Sequence, residues 1–442
     1  MKYTFVASNP PKENSRKVDY LPAIHKQTDC GLYAISDALT QKENDLEAIE
    51  KVSMHSSEYN SRYILPIEGH WKIDSGGYEI ITGAVPPDLI PLANQRYHFF
   101  QQENVNEYDE IFSLDIPFIG DFEYDCFNTV KNIYNANKKS LSNTIKNLQN
   151  IPELIDKLYL IDHFKEINQY EIFCNLYDEL ELKKYVRHRA LGGMVSIKDF
   201  AKISISPFPF ASYRSLHGYM ECDNPGDNFK LHYLGINGDY DRFTIAYCDK
   251  LFQRYLGGNI KLSVTYDTIN FLKSAMLQNN NLQAFSFINN RLVQYDSVAE
   301  VPDDILKSVY PGNLYGSFID NIETKKATNS FNSTMAFVPL NIYSEMSLDR
   351  FFEFVIDQFE LVDLLFRFGS INLFEYHLDL ALAEMLRKYP RAFTKHSIKS
   401  IKENLEYIFV CHKWYRDKRD EKELDRLSRL FIKGINCPPL LH

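Results

Sequence analysis

One cysteine carries the clearest chemical signal in the chain. In Gln27-Thr-Asp-Cys30-Gly-Leu-Tyr-Ala-Ile-Ser-Asp-Ala-Leu39 the thiol stands just before an apolar-periodic run. The spacing predicts a helix beginning at Cys30. Unpaired N–H groups and the positive end of the helix dipole would there favour a thiolate. The same N–H groups can hold the oxyanion of a tetrahedral intermediate, and Gly31 leaves room for a substrate backbone. The chemistry such a residue serves is acyl transfer through a thioester, and it requires an imidazole within hydrogen-bond reach.

The surrounding elements must supply that imidazole. Strand-like pieces lie between Tyr63 and Thr82, and again at Ile203–Ile205, Phe229–Leu234, Arg242–Tyr247 and Ala284–Ile288, with turn signals such as Asn224-Pro-Gly-Asp and Gly257-Gly-Asn between them. Residues 126–190 show apolar positions at helical spacing, including Leu154 to Ile161. From Ser347 onward the pattern is helical, with further helices expected near 374–388, 396–412 and 419–433. Helix, strands, helical lobe, strands and bundle in that order predict an α+β fold.

Composition narrows the function classes. The chain has 442 residues, 45% of them hydrophobic, which excludes global disorder. A net charge of −10 argues against nucleic acid as the main partner. No run approaches the length of a membrane span, and residues 1–20 lack the apolar core of a secretory signal. Seven scattered cysteines without a CxxC pair speak against a zinc site and for a reducing compartment. Cys411-His412 with Cys437 and His442 fits no standard finger spacing, and no phosphate-binding glycine loop is present.

The segment Asp29-Cys-Gly-Leu-Tyr-Ala-Ile-Ser-Asp-Ala-Leu39 resembles the nucleophile segment of the ovarian-tumour (OTU) family of cysteine deubiquitinases. Leu191-Gly-Gly-Met-Val-Ser-Ile-Lys-Asp-Phe200 is similar to that family's Trp-Gly-Gly helix, with Leu191 in place of Trp. Phe229-Lys-Leu-His-Tyr-Leu-Gly-Ile-Asn-Gly-Asp-Tyr-Asp241 occupies the place of its final strand pair. The matches cover about 100 residues.

The resemblance implies a papain-like, OTU-like core with an inserted helical lobe of the bacterial-effector type and a C-terminal helical bundle. It places the boundaries at 1–125, 126–190, 191–345 and 346–442. It implies isopeptide hydrolysis on ubiquitin or a ubiquitin-like protein without a cofactor, in a cytoplasm that could be a host cell's. Cys30 would be the nucleophile and His232 the base. Gln27, where the family has Asp, would help hold the oxyanion. Asp239 or Asn237 could orient His232. An inactive ubiquitin-binding module is one alternative. A papain-like peptidase or deamidase is another; it would use His70, in Gly69-His-Trp-Lys-Ile-Asp74, with Asp74 as its orienter.

Overall fold

The computed structural model describes residues 1–6, 20–28, 30–34, 70–77, 80, 89–106, 108–114, 116, 130–163, 175–192, 208–236, 238–268, 284–324 and 331–417. The expected helix beyond residue 34, the glycine at 193 with its following helix, Asp29, Asn237 and the expected helix at 419–433 lie outside them.

Eight strands form one closed, wholly parallel sheet: β1 (Lys2–Val6), β2 (Cys30–Ala34), β3 (His70–Asp74), β4 (Glu110–Phe112), β5 (Leu158–His163), β6 (His188–Gly192), β7 (Asn228–Tyr233) and β8 (Lys261–Asp267). Each strand pairs with the next in sequence, and β8 returns to β1 through Lys2 with Thr265 and Thr4 with Asp267. Followed once around, the registers come back to β1 about eight residues short of the start. That is the shear of a (β/α)8 barrel.

Parallel neighbours need long crossovers, and helices supply them. They include α1 (Leu21–Gln27), α2 (Ile90–Glu103), α3 (Val130–Asn150), α4 (Phe208–Met220) and α5 (Asp239–Leu256). Beyond the barrel come a hairpin, β9 (Ala284–Ile288) with β10 (Arg291–Tyr295), then α6 (Asp303–Val309), α7 (Asn313–Thr324), α8 (Phe331–Gln358), α9 (Leu361–Arg367), α10 (Ile371–Lys388) and α11 (Lys395–Asp417). The hairpin turns on Asn289 and Asn290, both at positive φ (50° and 60°), as a two-residue loop of the twist-matching kind requires. It packs on α8, while α11 packs on α4, α5 and α10.

This architecture replaces the α+β, papain-like/OTU-like core. Residues 126–190 do not stand apart as an inserted helical lobe: α3, β5 and the start of β6 fall there, and both strands belong to the barrel. Arg242–Tyr247, read as a strand, lies within α5. Cys30 opens a strand and does not head a helix.

The barrel is apolar outside and polar inside. On β7 and β8 the outward residues Phe229, Leu231, Tyr233, Val264 and Tyr266 are buried in a core shared with the helices. Ile111, Leu158 and Leu160 face a second core of that kind, under α2 and α3. A small inner cluster of Leu32, Phe112, Tyr159, Ile161 and Ala190 fills the lumen beside charged and hydroxylated side chains.

Among the polar contacts that fasten the added helices to the barrel, one centres on Asp349. Tyr266 on β8 donates its hydroxyl to Asp349 Oδ2 of α8 at 2.5 Å. Arg242 of α5 donates Nε and Nη2 to Asp349 Oδ1 at 2.9 and 2.6 Å. The carboxylate thereby joins β8, α5 and α8, directly behind the strand that ends in Asp267.

Candidate active site at the C-terminal mouth

Side chains from alternate strands fall into layers inside the barrel, as the shear dictates. The registers place Cys30, Glu110, His188 and Thr265 lowest, Thr4, Lys72, Tyr159 and His232 above them, and Leu32, Phe112, Ala190 and Asp267 next. Asp74 stands about one residue step above Asp267, at the C-terminal rim.

Lys72 anchors the lower network. It is fully buried, and its ammonium meets Glu110 Oε2 at 2.7 Å, Thr265 Oγ1 at 2.8 Å and Tyr159 OH at 3.4 Å. Tyr159 OH donates to the same Glu110 oxygen at 2.8 Å. His70 Nε2 and Lys230 Nζ reach the other oxygen at 3.1 and 2.8 Å. Burial alone would raise the Glu110 pKa. Lys72 first, then His70 and Lys230, outweigh it and hold the carboxyl well below the usual range.

The upper network rises from Lys72 to the mouth. His232 Nδ1 meets Thr265 Oγ1 at 2.8 Å, and Nε2 meets Asp267 Oδ1 at 3.1 Å. Because Lys72 donates to Thr265, the threonine hydroxyl is free to donate to Nδ1. The hydrogen-bond directions therefore assign the proton to Nε2, which donates to Asp267. Burial, with Lys72 nearby, lowers the His232 pKa despite the pull of Asp267, so the ring is a neutral donor. Gly235 N–H donates to the same Asp267 oxygen at 3.1 Å. Gly235 sits at φ 70°, a turn that glycine takes without strain and that points its N–H back at the carboxylate.

Asp267 is thus pinned through Oδ1, and among the described residues Oδ2 makes no hydrogen bond. Asp267 ends β8 and Asp74 ends β3, three strands further round the closed sheet, so the two carboxyls approach the C-terminal mouth from different sides. Ser75, Gly76 and Gly77 continue from Asp74 as buried backbone, with Gly76 turning at φ 81° and its N–H 3.4 Å from Asp74 Oδ1.

The residues expected to act as a thiol site are spread through the barrel. Cys30 is buried at the lowest layer, where Thr4 Oγ1 donates to its sulfur at 3.5 Å. His232 lies one layer higher, but both its ring nitrogens are held by Thr265 and Asp267. Gln27 ends α1, half-buried, at the N-terminal end of the barrel and away from the mouth. His70, the alternative base, opens β3 at that same lower rim and serves Glu110. Gly31 makes room for the Trp71 ring of the neighbouring strand, not for a substrate.

Sequence reasoning missed Asp267 and gave Asp74 only a supporting part. Ser263, Thr265 and Asp267 alternate with Leu262, Val264 and Tyr266, a polar face ending in a carboxylate at the strand's C-terminus. That alternation was the available signal.

Among the described residues no group of three or more His, Cys, Asp or Glu is placed to hold a metal ion, and no helix is long and apolar enough to cross a membrane. No protein-family model and no curated protein matches the chain. Fold and site define a class: a (β/α)8-barrel protein with a hydrogen-bonded polar lumen and two carboxylates at its C-terminal mouth, the face where active sites of this architecture lie.

Proposed function

We propose that the chain is an enzyme of glycosyl transfer or hydrolysis that works by displacement at an anomeric carbon, with Asp267 as nucleophile and Asp74 as acid and base. The observation that carries this reading is Asp267 itself, fixed by His232 and Gly235 through one oxygen, with the other making no hydrogen bond among the described residues. Most enzymes that act at an acetal carbon use a pair of carboxyl groups flanking the reacting bond.

Asp267 Oδ2 attacks the anomeric carbon as the bond to the leaving group breaks. The departing oxygen or nitrogen takes its electron pair and a proton from the acid form of Asp74. Water or an acceptor alcohol or amine then gives its proton to Asp74 and attacks the same carbon, releasing the Asp267 carboxylate. The donor from His232 stabilises that carboxylate as it leaves.

The test is covalent trapping. A panel of 2-fluoro-glycosyl and 2-fluoro-nucleoside inactivators should add one glycosyl mass to the peptide holding Asp267 and none in Asp267→Asn. Label on another residue, or label unchanged by the substitution, would defeat the assignment.

Hydrolysis of ubiquitin through a Cys30 thioester is a second reading. Its support is that Cys30 and His232 line the same lumen in adjacent layers. The bonds held by both His232 nitrogens, and the side chains stacked above Cys30, speak against it. A ubiquitin probe bearing a thiol-reactive C-terminus distinguishes the two: labelling lost in Cys30→Ala supports hydrolysis, and no labelling removes it.

A further inference from the structure

A second cleft lies outside the barrel, between α2 and α3, and shares no residue with the mouth. Its volume is about 610 Å³, in the range of small-molecule sites. Lys139, Asn143 and Lys146 line it from α3 at i, i+4 and i+7, one face of that helix. Asn94, Arg96 and His98 line it from α2. No aspartate or glutamate is among its lining residues, although the chain carries a net charge of −10.

The floor is built. Asn147 donates from Nδ2 to His98 O and Gln101 Oε1, both at 3.0 Å, and Gln102 donates to Asn147 Oδ1 at 2.6 Å. Asn94 is 4% exposed, yet its Oδ1 has no hydrogen-bond partner among the described residues. The ring nitrogens of His98, itself buried, meet no hydrogen-bond geometry, although Gln101 and the Ser140 backbone lie close. Native interiors rarely leave such atoms unsatisfied. Burial, with Lys146 adding to it, pushes the His98 pKa down to about 4, so the ring is neutral and offers one donor and one acceptor.

We propose that this cleft binds a small phosphorylated ligand that also carries hydroxyl or amine donors. The lysines supply charge for the phosphate, and α3 places them ~10 Å apart along its axis, close enough for both to reach one group. The unpaired Asn94 oxygen and the His98 ring are the groups a ligand hydroxyl would satisfy. A phosphate without donors leaves them unpaired, and a sugar without phosphate leaves the lysines unused.

Calorimetry on the full chain tests this with ribose 5-phosphate, inorganic pyrophosphate, ribose and citrate. The expected result is saturable binding of ribose 5-phosphate at one site, weaker binding of pyrophosphate, and none of ribose. Lys139→Glu with Lys146→Glu should weaken ribose 5-phosphate at least tenfold, and Lys399→Glu on the distant α11 should not. Asn94→Leu should narrow the gap between ribose 5-phosphate and pyrophosphate. Where that variant does not fold, His98→Gln reads the same gap. Absence of saturable binding by both phosphates, citrate binding as tightly as ribose 5-phosphate, or equal weakening by Lys399→Glu would overturn the proposal.

Discussion

His232 and Asp267 face each other from adjacent strands, Nε2 to Oδ1 at 3.1 Å, and the histidine is in turn fixed by Thr265 at 2.8 Å. The carboxylate at the mouth is therefore oriented from below by a chain of donors that begins at buried Lys72. Loss of its carboxylate should remove chemistry and spare the fold. Asn at 267 can still accept from His232 and Gly235 but cannot form a stable ester with a sugar. We expect Asp267→Asn to lower turnover at least about a thousandfold and Asp74→Asn about a hundred- to ten-thousandfold, the usual scale of a lost acid–base group. Both should melt within a few degrees of the parent. Turnover on any substrate found by the trapping panel, with melting by circular dichroism, checks this. An Asp267→Asn protein with a tenth of the parental rate would place the chemistry elsewhere.

Lys72 and Glu110 form a buried pair whose value is felt when one partner is lost. Removing the ammonium leaves Glu110 buried in the lumen with Lys230, His70 and the Tyr159 hydroxyl as its partners among the described residues. Lys72→Met should cost about 3–5 kcal/mol, the range for breaking a buried pair. Lys72→Met with Glu110→Gln should cost less than the two single changes together, with a coupling above about 1 kcal/mol. Urea unfolding measures all three, and strict additivity would show that the pair is not coupled.

The sequence disclosed local pieces of this fold more readily than their assembly. Ile371–Lys388 and Lys395–Asp417 are helices where amphipathic spacing put them, and Phe229 to Tyr233 is a strand. Cys30-Gly-Leu-Tyr-Ala misled because a short apolar run serves equally as a helix turn or as a strand covered on both faces. Leu158 to Ile161 misled in the same way, following a genuine helical turn at Pro152–Asp156. The barrel itself was hidden because its polar residues point inward. Lys72, Glu110 and His232 interrupt the apolar runs by which parallel strands are recognised, and closure of the sheet joins residues far apart in sequence, such as Thr4 and Asp267. Asp74 was visible only as a neighbour of His70, since nothing local tells which end of a strand will open to solvent.

Three histidines make folding acid-sensitive. Burial foremost lowers the pKa of His98 to about 4 and of His188 to about 3, and it lowers His232 as well. In the unfolded chain each titrates near the ordinary ~6.5. Below that value the unfolded state takes up protons that the folded state refuses, so stability is full above pH ~6.5 and falls as pH drops toward the folded values. At ~1.4 kcal/mol per unit and per histidine, His98 and His188 together should remove on the order of 5 kcal/mol between pH 6.5 and 4.5. Urea midpoints across that range should fall steeply for the parent and less so for His98→Gln and His188→Gln. Parallel curves for parent and variants would show that these rings do not control acid stability.

Gly31 is held to glycine by its neighbour. It pairs with Trp71 across β2 and β3, and a methyl group placed on it would lie 2.1 Å from Trp71 Cζ3. No carbon pair tolerates that separation, so either the indole swings away or the strands part. Trp71 packs at the edge of the core under α2 and α3, and displacing it loosens that packing. Gly31→Ala should therefore cost about 1–3 kcal/mol, the usual range for overpacking. The origin of the loss separates this account from a role in binding substrate. If the clash is with the indole, Trp71→Leu should be destabilising alone but should make Gly31→Ala nearly neutral when the two are combined. Thermal denaturation of the four proteins gives the cycle, and an undiminished cost for Gly31→Ala in the Trp71→Leu background would show that the indole is not what excludes a side chain at position 31.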